Sequence, residues 1–345
     1  MRSSFAFVLL ASIGGAAFAH APPACATDAV QPVTVNNFIR AESDTYMANL
    51  AKDSGGLAKF QHRREPAPIE HQTVIRLNRD TLYSSAVVDL DAGPVTVTLP
   101  DAGKRFMSLM VVSEDHYAWT EYGAGPHTFD KKKIGTRYAV VGVRTLVNPG
   151  DKKDVATVHG LQDAITLSQP GGPGTFDIPK YDAASQKKIR DALLTLSATT
   201  SGFDHAFGAK EQVDPVAHLL ATAAAWGGNP DKDAKYISVT PAKNDGRTVY
   251  RLVVKDVPVD AFWSVSVYNA QGFFEKNALD AYTINDLTGK KGADGAITIQ
   301  FGGCDGKIPN CLPTVAGWNY TVRLYRPRAA ILDGTWTFPE PQPVG

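Results

Sequence analysis

Between Gln72 and Pro100 the chain reads QTVIRLNRDTLYSSAVVDLDAGPVTVTLP, and this stretch sets the terms for the rest. Val95-Thr96-Val97-Thr98-Leu99 alternates with a period of two, which turns one face of a strand to a core and the other outward. Asp91-Ala92-Gly93-Pro94 before it is a turn signal, and Ser85 to Asp89 is an apolar run. Val74-Ile75-Arg76-Leu77 reads as a further strand. Between these runs lies Asn78-Arg79-Asp80-Thr81-Leu82-Tyr83-Ser84, with two opposite charges, an amide, hydroxyls and a phenol. Such groups cost free energy when buried unpaired, so the cluster is expected to satisfy itself or to face a cleft. Asp101-Ala102-Gly103-Lys104 then turns the chain into a returning strand, Arg105 to Val112, and Tyr138 to Val147 makes another. Val74 to Val147 is therefore expected to be mostly antiparallel sheet.

Helices flank this region. Phe38, Ala41, Thr45 and Ala48 recur at helical spacing within Thr34 to Leu50, with Asn36 or Asn37 as cap. QPGGPGTFDIP, from Gln169, is a linker, after which Tyr181 to Leu196 is helical with Asp182 or Ser185 as cap. A further helix spans Pro215 to Trp226, with proline in its first turn and Gly227-Gly228 stopping it. Strands resume at Tyr236 to Thr240 and Thr248 to Val254, around Asn244-Asp245-Gly246, a hairpin signal. Phe262 to Tyr268, Ala296 to Phe301 and Tyr320 to Tyr325 complete five short strands, the pattern of a sandwich or jelly roll.

The first residues bound the compartment. Arg2, an apolar run from Phe5 to Phe18 and small residues after it read as a secretory signal, cleaved after Ala19 or after Ala26. No later stretch approaches membrane-spanning length. A periplasmic or secreted protein is expected. There, Cys304 and Cys311 in CDGKIPNC read as a disulfide; the alternative is a pair of free thiols. The 35 basic and 35 acidic residues leave no basic face for nucleic acid. The chain is expected to divide into the signal (1–26), an N-terminal β-rich domain (27–168), a linker with helices (169–232) and a C-terminal jelly-roll-like domain (233–345). The fold class is mainly β with connecting helices (α+β), as two antiparallel sandwich-like or jelly-roll-like domains.

NRDTLYSSAVVDLDAGPVTVTLPD (Asn78 to Asp101) and KRFMSLMVVSEDHY (Lys104 to Tyr117) resemble the domain of unknown function 1254. DAFWSVSVYNAQGFF (Asp260 to Phe274), AYTIND (Ala281 to Asp286) and NYTVRLYRPRAAILDGTW (Asn319 to Trp336) resemble the domain of unknown function 1214. The resemblance, to a tandem bacterial family, spans roughly residues 70 to 340. It implies two β-rich sandwich or jelly-roll domains joined by helices, usually exported, and no agreed reaction. The family's Asn-Trp-Leu-Pro type of segment appears here as Asn310-Cys311-Leu312-Pro313, with cysteine in the aromatic place.

No G-x-S-x-G elbow, H-E-x-x-H, P-loop or dinucleotide fingerprint is present. The chemistry-bearing candidates are two clusters. In the first, Asn78, Arg79 and Tyr83 are candidates for substrate binding, with Asp80 or Tyr83 for proton transfer; the structural alternative makes Asp80 a turn or cap acceptor and pairs Arg79 with it or with a neighbouring domain. In the second, Glu114-Asp115-His116-Tyr117 leaves a strand, and convergence with the first would make Asp80, Glu114 and His116 a catalytic set. Otherwise it is a polar loop. Trp263 and Arg323 join the binding candidates, Arg323 as a charge inside a strand expected to pair with Asp260, Glu275 or Asp286. No cofactor and no metal site is predicted. The leading functional expectation is binding of a small molecule or glycan in a cleft formed by the β domains. The alternatives are a hydrolase using Asp80, Glu114 and His116 with Arg79 orienting substrate, and an envelope assembly module, with a second copy of the chain as candidate partner.

Overall fold

The structure is a computed structural model that describes residues 29–344 except 73 and 201. The expected signal segment and Cys25 lie outside the described residues. Among the described residues four sheets are formed, paired in two sandwiches. In the first, a five-stranded sheet runs Gln61–Arg63, Thr81–Asp89, Tyr138–Leu146, Met107–Ser113, Ala118–Tyr122 in spatial order. It packs on a three-stranded sheet of Gly125–Phe129, Val95–Leu99 and Thr166–Ser168, both contributing to one core that includes Val88, Val95, Val97, Leu109, Val111 and Val141. The alternation of Val95 to Leu99 is realised: its three apolar side chains are buried and its threonines are half-exposed.

The second sandwich pairs an outer sheet (Cys311–Leu312, Ile297–Phe301, Tyr250–Val254, Gln342–Pro343) with a second four-stranded sheet. The latter, here the seam sheet, runs Thr283–Asn285, Trp263–Tyr268, Asn319–Tyr325, Ala234–Val239. Leu252, Ile299 and Phe301 from the outer sheet meet Trp263, Val265, Val322 and Leu324 from the seam sheet in a shared core. Named pairings are antiparallel except that of Ile297–Phe301 with Cys311–Leu312, which is parallel. The protein is mainly β with connecting helices.

Two local expectations fail for the same reason. Val74 to Leu77 is not a strand: Arg76 sits at φ +53°, donates its backbone N–H to Gly272 O (2.8 Å), and lies against the seam sheet. The strand instead begins at Thr81 and takes in half of the polar cluster. The Asn244-Asp245-Gly246 turn likewise joins strands that do not pair with each other. Ala234–Val239 pairs with Asn319–Tyr325, whereas Tyr250–Val254 pairs with Ile297–Phe301 in the opposite sheet. Gly246 is needed for another purpose: at φ +73° a Cβ there would lie 2.6 Å from the Val315 carbonyl carbon. In both places partners distant in sequence outweigh local pattern.

The helices fall near their expected positions: Phe38–Asp53, Ala183–Ser197 and Pro215–Ala224. Asp182 caps the second through Ser185 N–H (2.8 Å), and Asp214 caps the third through Val216 and Ala217 N–H. Phe38–Asp53 lies on the five-stranded sheet, placing Met47 and Ala51 against Val87, Met110 and Val140. Its buried face also contains Glu42, Ser43 and Asp44, which a purely apolar stripe does not anticipate. Lys152–Asp163 is a further helix, packed through Val158 on Leu82 and Val147.

Cys304 and Cys311 form a disulfide, with Cα atoms 5.7 Å apart. A Cys304→Ser substitution is expected to lower unfolding stability by about 2–3 kcal/mol, the chain-entropy value for so short a loop. Equal melting temperatures with and without reductant would count against a stabilising bridge.

Candidate functional site

The seam sheet turns a polar face to the five-stranded sheet. Its registers align Asn285, Ser264, Arg323 and Tyr236 in one row, while Trp263 and Leu324 point to the sandwich core. Arg323 is 3% exposed. Its guanidinium donates to Ser266 Oγ (3.0 Å), Tyr268 Oη (2.7 Å) and the carbonyls of Arg76 (2.8 Å) and Leu77 (3.3 Å). None of the three carboxylates expected for it is its partner. Burial disfavours its charge, but Tyr268, Tyr325 and Asp80 outweigh burial and hold its pKa above the ordinary value. Trp263 is buried against Phe338 in the core, so neither candidate is open to a ligand.

The first polar cluster meets this face. Asp80 is fully buried; its Oδ1 accepts from Asn285 Nδ2 (2.9 Å) and Thr283 Oγ1 (3.2 Å), both from the seam sheet. Asn78 Oδ1 accepts the Asp80 N–H (2.7 Å), and its amide nitrogen donates to Tyr325 Oη (2.9 Å) and Tyr83 Oη (3.2 Å). Arg79 points elsewhere, donating to the Ala67 carbonyl and lying 5.1 Å over the Tyr282 ring. Arg144 stacks over Tyr83 (5.6 Å) and donates to Asn229 Oδ1 (3.2 Å) and Gly227 O (3.0 Å). This cluster therefore joins the two β units and satisfies most of its own hydrogen bonds.

The second cluster lies at the other end of the five-stranded sheet. Asp80 adjoins Thr81, which pairs with Leu146, whereas Glu114 Oε2 accepts the N–H of Tyr138, which pairs with Asp89 (2.8 Å for the hydrogen bond). The full length of the Thr81–Asp89 strand separates them. The expected convergence of Asp80, Glu114 and His116 does not occur. His116, at φ +64°, has both ring nitrogens engaged: Nε2 accepts from Gly227 N–H (2.8 Å) and Nδ1 faces Thr222 Oγ1 (2.8 Å). Thr222 Oγ1 donates to His218 O (2.8 Å), so it accepts from Nδ1–H and the tautomer is set. Burial and the neighbouring His218 push the His116 pKa down to about 3. A neutral, doubly bonded imidazole stacked on Trp226 anchors the Ser113–Tyr117 turn to the Pro215–Ala224 helix.

A cleft of about 450 Å³ opens where the two β units meet. Its walls include Phe106, Tyr122 and Phe262, with Lys104, Asp286 and Arg326 among its charged residues. Phe106 packs edge-on against Phe262 (centroids 5.2 Å), and Phe262 stacks on Tyr325 (4.2 Å), so the apolar wall is braced from behind. Tyr122 donates its hydroxyl proton to Asp233 Oδ1 (3.0 Å), and the Arg326 guanidinium lies 4.8 Å over its ring. Asp286 Oδ1 is buried with no hydrogen-bond partner among the described residues. Burial pushes its carboxyl up to about 6, and repulsion from Asp80 adds to this. A cleft between the β domains is expected from the sequence, but none of the candidate site residues lines this one. Its signal was present all the same: KRF, DAF, AYTIND and YRP each end or begin at it, contributing Phe106, Phe262, Asp286 and Arg326.

Among the described residues no group of three or more His, Cys, Asp or Glu side chains is placed to hold a metal ion, and no helix is long and apolar enough to cross a membrane. No curated protein matches the chain. Among solved structures, the VPA0106 protein of Vibrio parahaemolyticus is similar, at 17% identity with TM-score 0.69, over 90% of this chain and 98% of that one. An uncharacterised protein of Burkholderia cenocepacia is similar at 13% identity with TM-score 0.51, over 89% of this chain and 86% of that one. At such identities these show the fold alone. Residues 57–142 match the model of a protein of unknown function (DUF1254), and residues 236–329 that of a protein of unknown function (DUF1214). With both models matched in this order, the chain belongs to the tandem family that joins domain of unknown function 1254 to domain of unknown function 1214.

Proposed function

We propose that this is an exported protein that binds a small molecule or a short glycan in the cleft between its two β units. The observation that carries the reading is the cleft itself: a concave site of about 450 Å³ in which braced aromatic walls meet the charged residues Asp101, Lys104, Arg105, Asp260, Asp286 and Arg326. Small-ligand sites favour such boundaries between units, and the charged lining points to a polar or charged ligand. Export is supported by the basic and apolar start of the sequence and by the Cys304–Cys311 bridge, which persists in an oxidising compartment. The hydrolase reading is weaker, because its three catalytic candidates do not share a cleft.

A thermal-shift screen of sugars and small metabolites tests the proposal. A bound compound at about a hundred times its Kd is expected to add about 2.7 kcal/mol to stability. Ala124 lines the cleft at an exposed position, so Ala124→Trp fills the mouth without disturbing a core. It is expected to abolish the shift. Hits that stabilise both proteins equally would place binding elsewhere.

A further inference from the structure

Resting on the cleft reading above, we propose that its ligand is a small organic anion with an aromatic or branched apolar body, held at its charged end by Arg326, Lys104 and Asp286. The charges around the cleft decide the class. Arg105 is committed to Asp154 and the Leu146 carbonyl, and Asp260 to Arg328 (2.7 Å). Lys104 and Arg326 form no ion pair among the described residues. The Arg326 guanidinium lies 4.8 Å over the Tyr122 ring, and no side-chain hydrogen bond or ion pair among the described residues occupies its N–H fork, which can meet a carboxylate or phosphate. Asp101 spends one oxygen on the Gly103 N–H at the exposed rim. Asp260 also lines the cleft and its charge reaches Arg328 and Arg326, so Asp286 is the buried acidic group there rather than the sole one.

Asp286 controls whether an anion is welcome. Its buried Oδ1 has no donor among the described residues, and its neighbours are Asp80, which opposes its ionisation, and Lys291, which favours it. Lys104 and Arg326 line the same cleft, while the Tyr122 proton is already given to Asp233. Below about pH 6 the carboxyl is neutral and donates a hydrogen bond to an anion beside it. Above that it is a like charge and repels the same ligand. Phe106, Phe262 and Met107, largely buried, supply the apolar contacts that the body of such a ligand would make.

Matched probes test this: benzoate, benzamide and benzylammonium, and the isovalerate, isovaleramide and isoamylammonium series, titrated by ligand-observed NMR. The anions are expected to bind best, losing up to about thirtyfold in affinity between about pH 5 and pH 7.5, the fall in the neutral fraction of a group titrating near 6. Asp286→Asn should flatten this dependence to under about twofold, and Arg326→Gln should weaken the anions about tenfold at every pH without touching the amides. Amides or ammonium ions binding as well as the anions, and blocked by Ala124→Trp, would overturn the ligand class while leaving the cleft reading intact. Anion affinity indifferent to pH would overturn the role of Asp286. No binding by either series would overturn the class, and a library that also fails to shift the melting temperature would remove the cleft reading with it.

Discussion

Arg323→Ala is expected to lower unfolding stability by about 3–5 kcal/mol, the cost of breaking a buried, hydrogen-bonded charge network by deleting one member. The residue joins three parts of the chain. It fastens the carbonyls of Arg76 and Leu77 to the seam sheet, binds Tyr268 and Ser266 within that sheet, and stands as the positive charge near buried Asp80. Deletion strands two backbone acceptors and leaves Asp80, whose Oδ2 already has no partner among the described residues, without its counter-charge. Arg323→Lys is expected to recover only part of the loss, because a single ammonium does not reproduce a fork that reaches both carbonyls and hydroxyls. Urea unfolding of both variants measures this. A loss below about 1 kcal/mol for alanine would mean that water takes over the arginine's bonds and that the two β units do not depend on it.

The second large effect is in pH dependence and lies far from the cleft. Asp44, 1% exposed on the Phe38–Asp53 helix, accepts from Tyr181 Oη through Oδ2 (2.8 Å). Its Oδ1 has no donor among the described residues, and Glu114 beside it offers none while both are ionised. Arg40 is a neighbouring cation, 3.6 Å from Glu114 Oε1 but drawn to Asp115 at 2.5 Å. Burial pushes the Asp44 carboxyl up to about 7, and the Glu114 charge adds to this. The folded pKa thus lies above the ordinary 3.8, so between about pH 4 and pH 7 the folded protein keeps a proton that the unfolded chain releases. Stability must fall as pH rises through that window, by up to about 1.4 kcal/mol per pH unit. Asp44→Asn removes the titrating group, keeps an acceptor for Tyr181 and supplies a donor to Glu114. It is expected to flatten the profile and to raise stability above pH 7 by about 2 kcal/mol. Denaturation curves at several pH values for both proteins decide it, and parallel profiles would sink the account of this pair.

Much of the fold could be read from the sequence because its strands carry local signals. Val95 to Leu99 alternates, and the helices beginning at Ala183 and Pro215 carry acidic caps that the structure uses. What misled was pattern whose partners lie far along the chain. Val74 to Leu77 looks like a strand by composition, yet its hydrogen bonds go to Gly272 and Arg323. The candidate site was less legible. Asn78, Asp80 and Tyr83 stand out in the sequence as polar groups in an apolar setting, and they do form a cluster, but one that cements two sheets. Polar residues at a buried seam and polar residues in a cleft look alike in one dimension. Glu114 and His116 could not be placed relative to Asp80 without the register of the Thr81–Asp89 and Tyr138–Leu146 strands. The cleft draws Phe106, Phe262, Asp286 and Arg326 from four separate strand ends, and no spacing rule links them.

The most direct test of the central claim, that the junction of the two β units is a ligand site, is a crystal soak with a fragment set that includes organic anions. Fragment density is expected between Phe106, Tyr122 and Arg326, with anionic groups turned towards Arg326. A cleft that stays empty across the set while fragments settle elsewhere on the protein would contradict it.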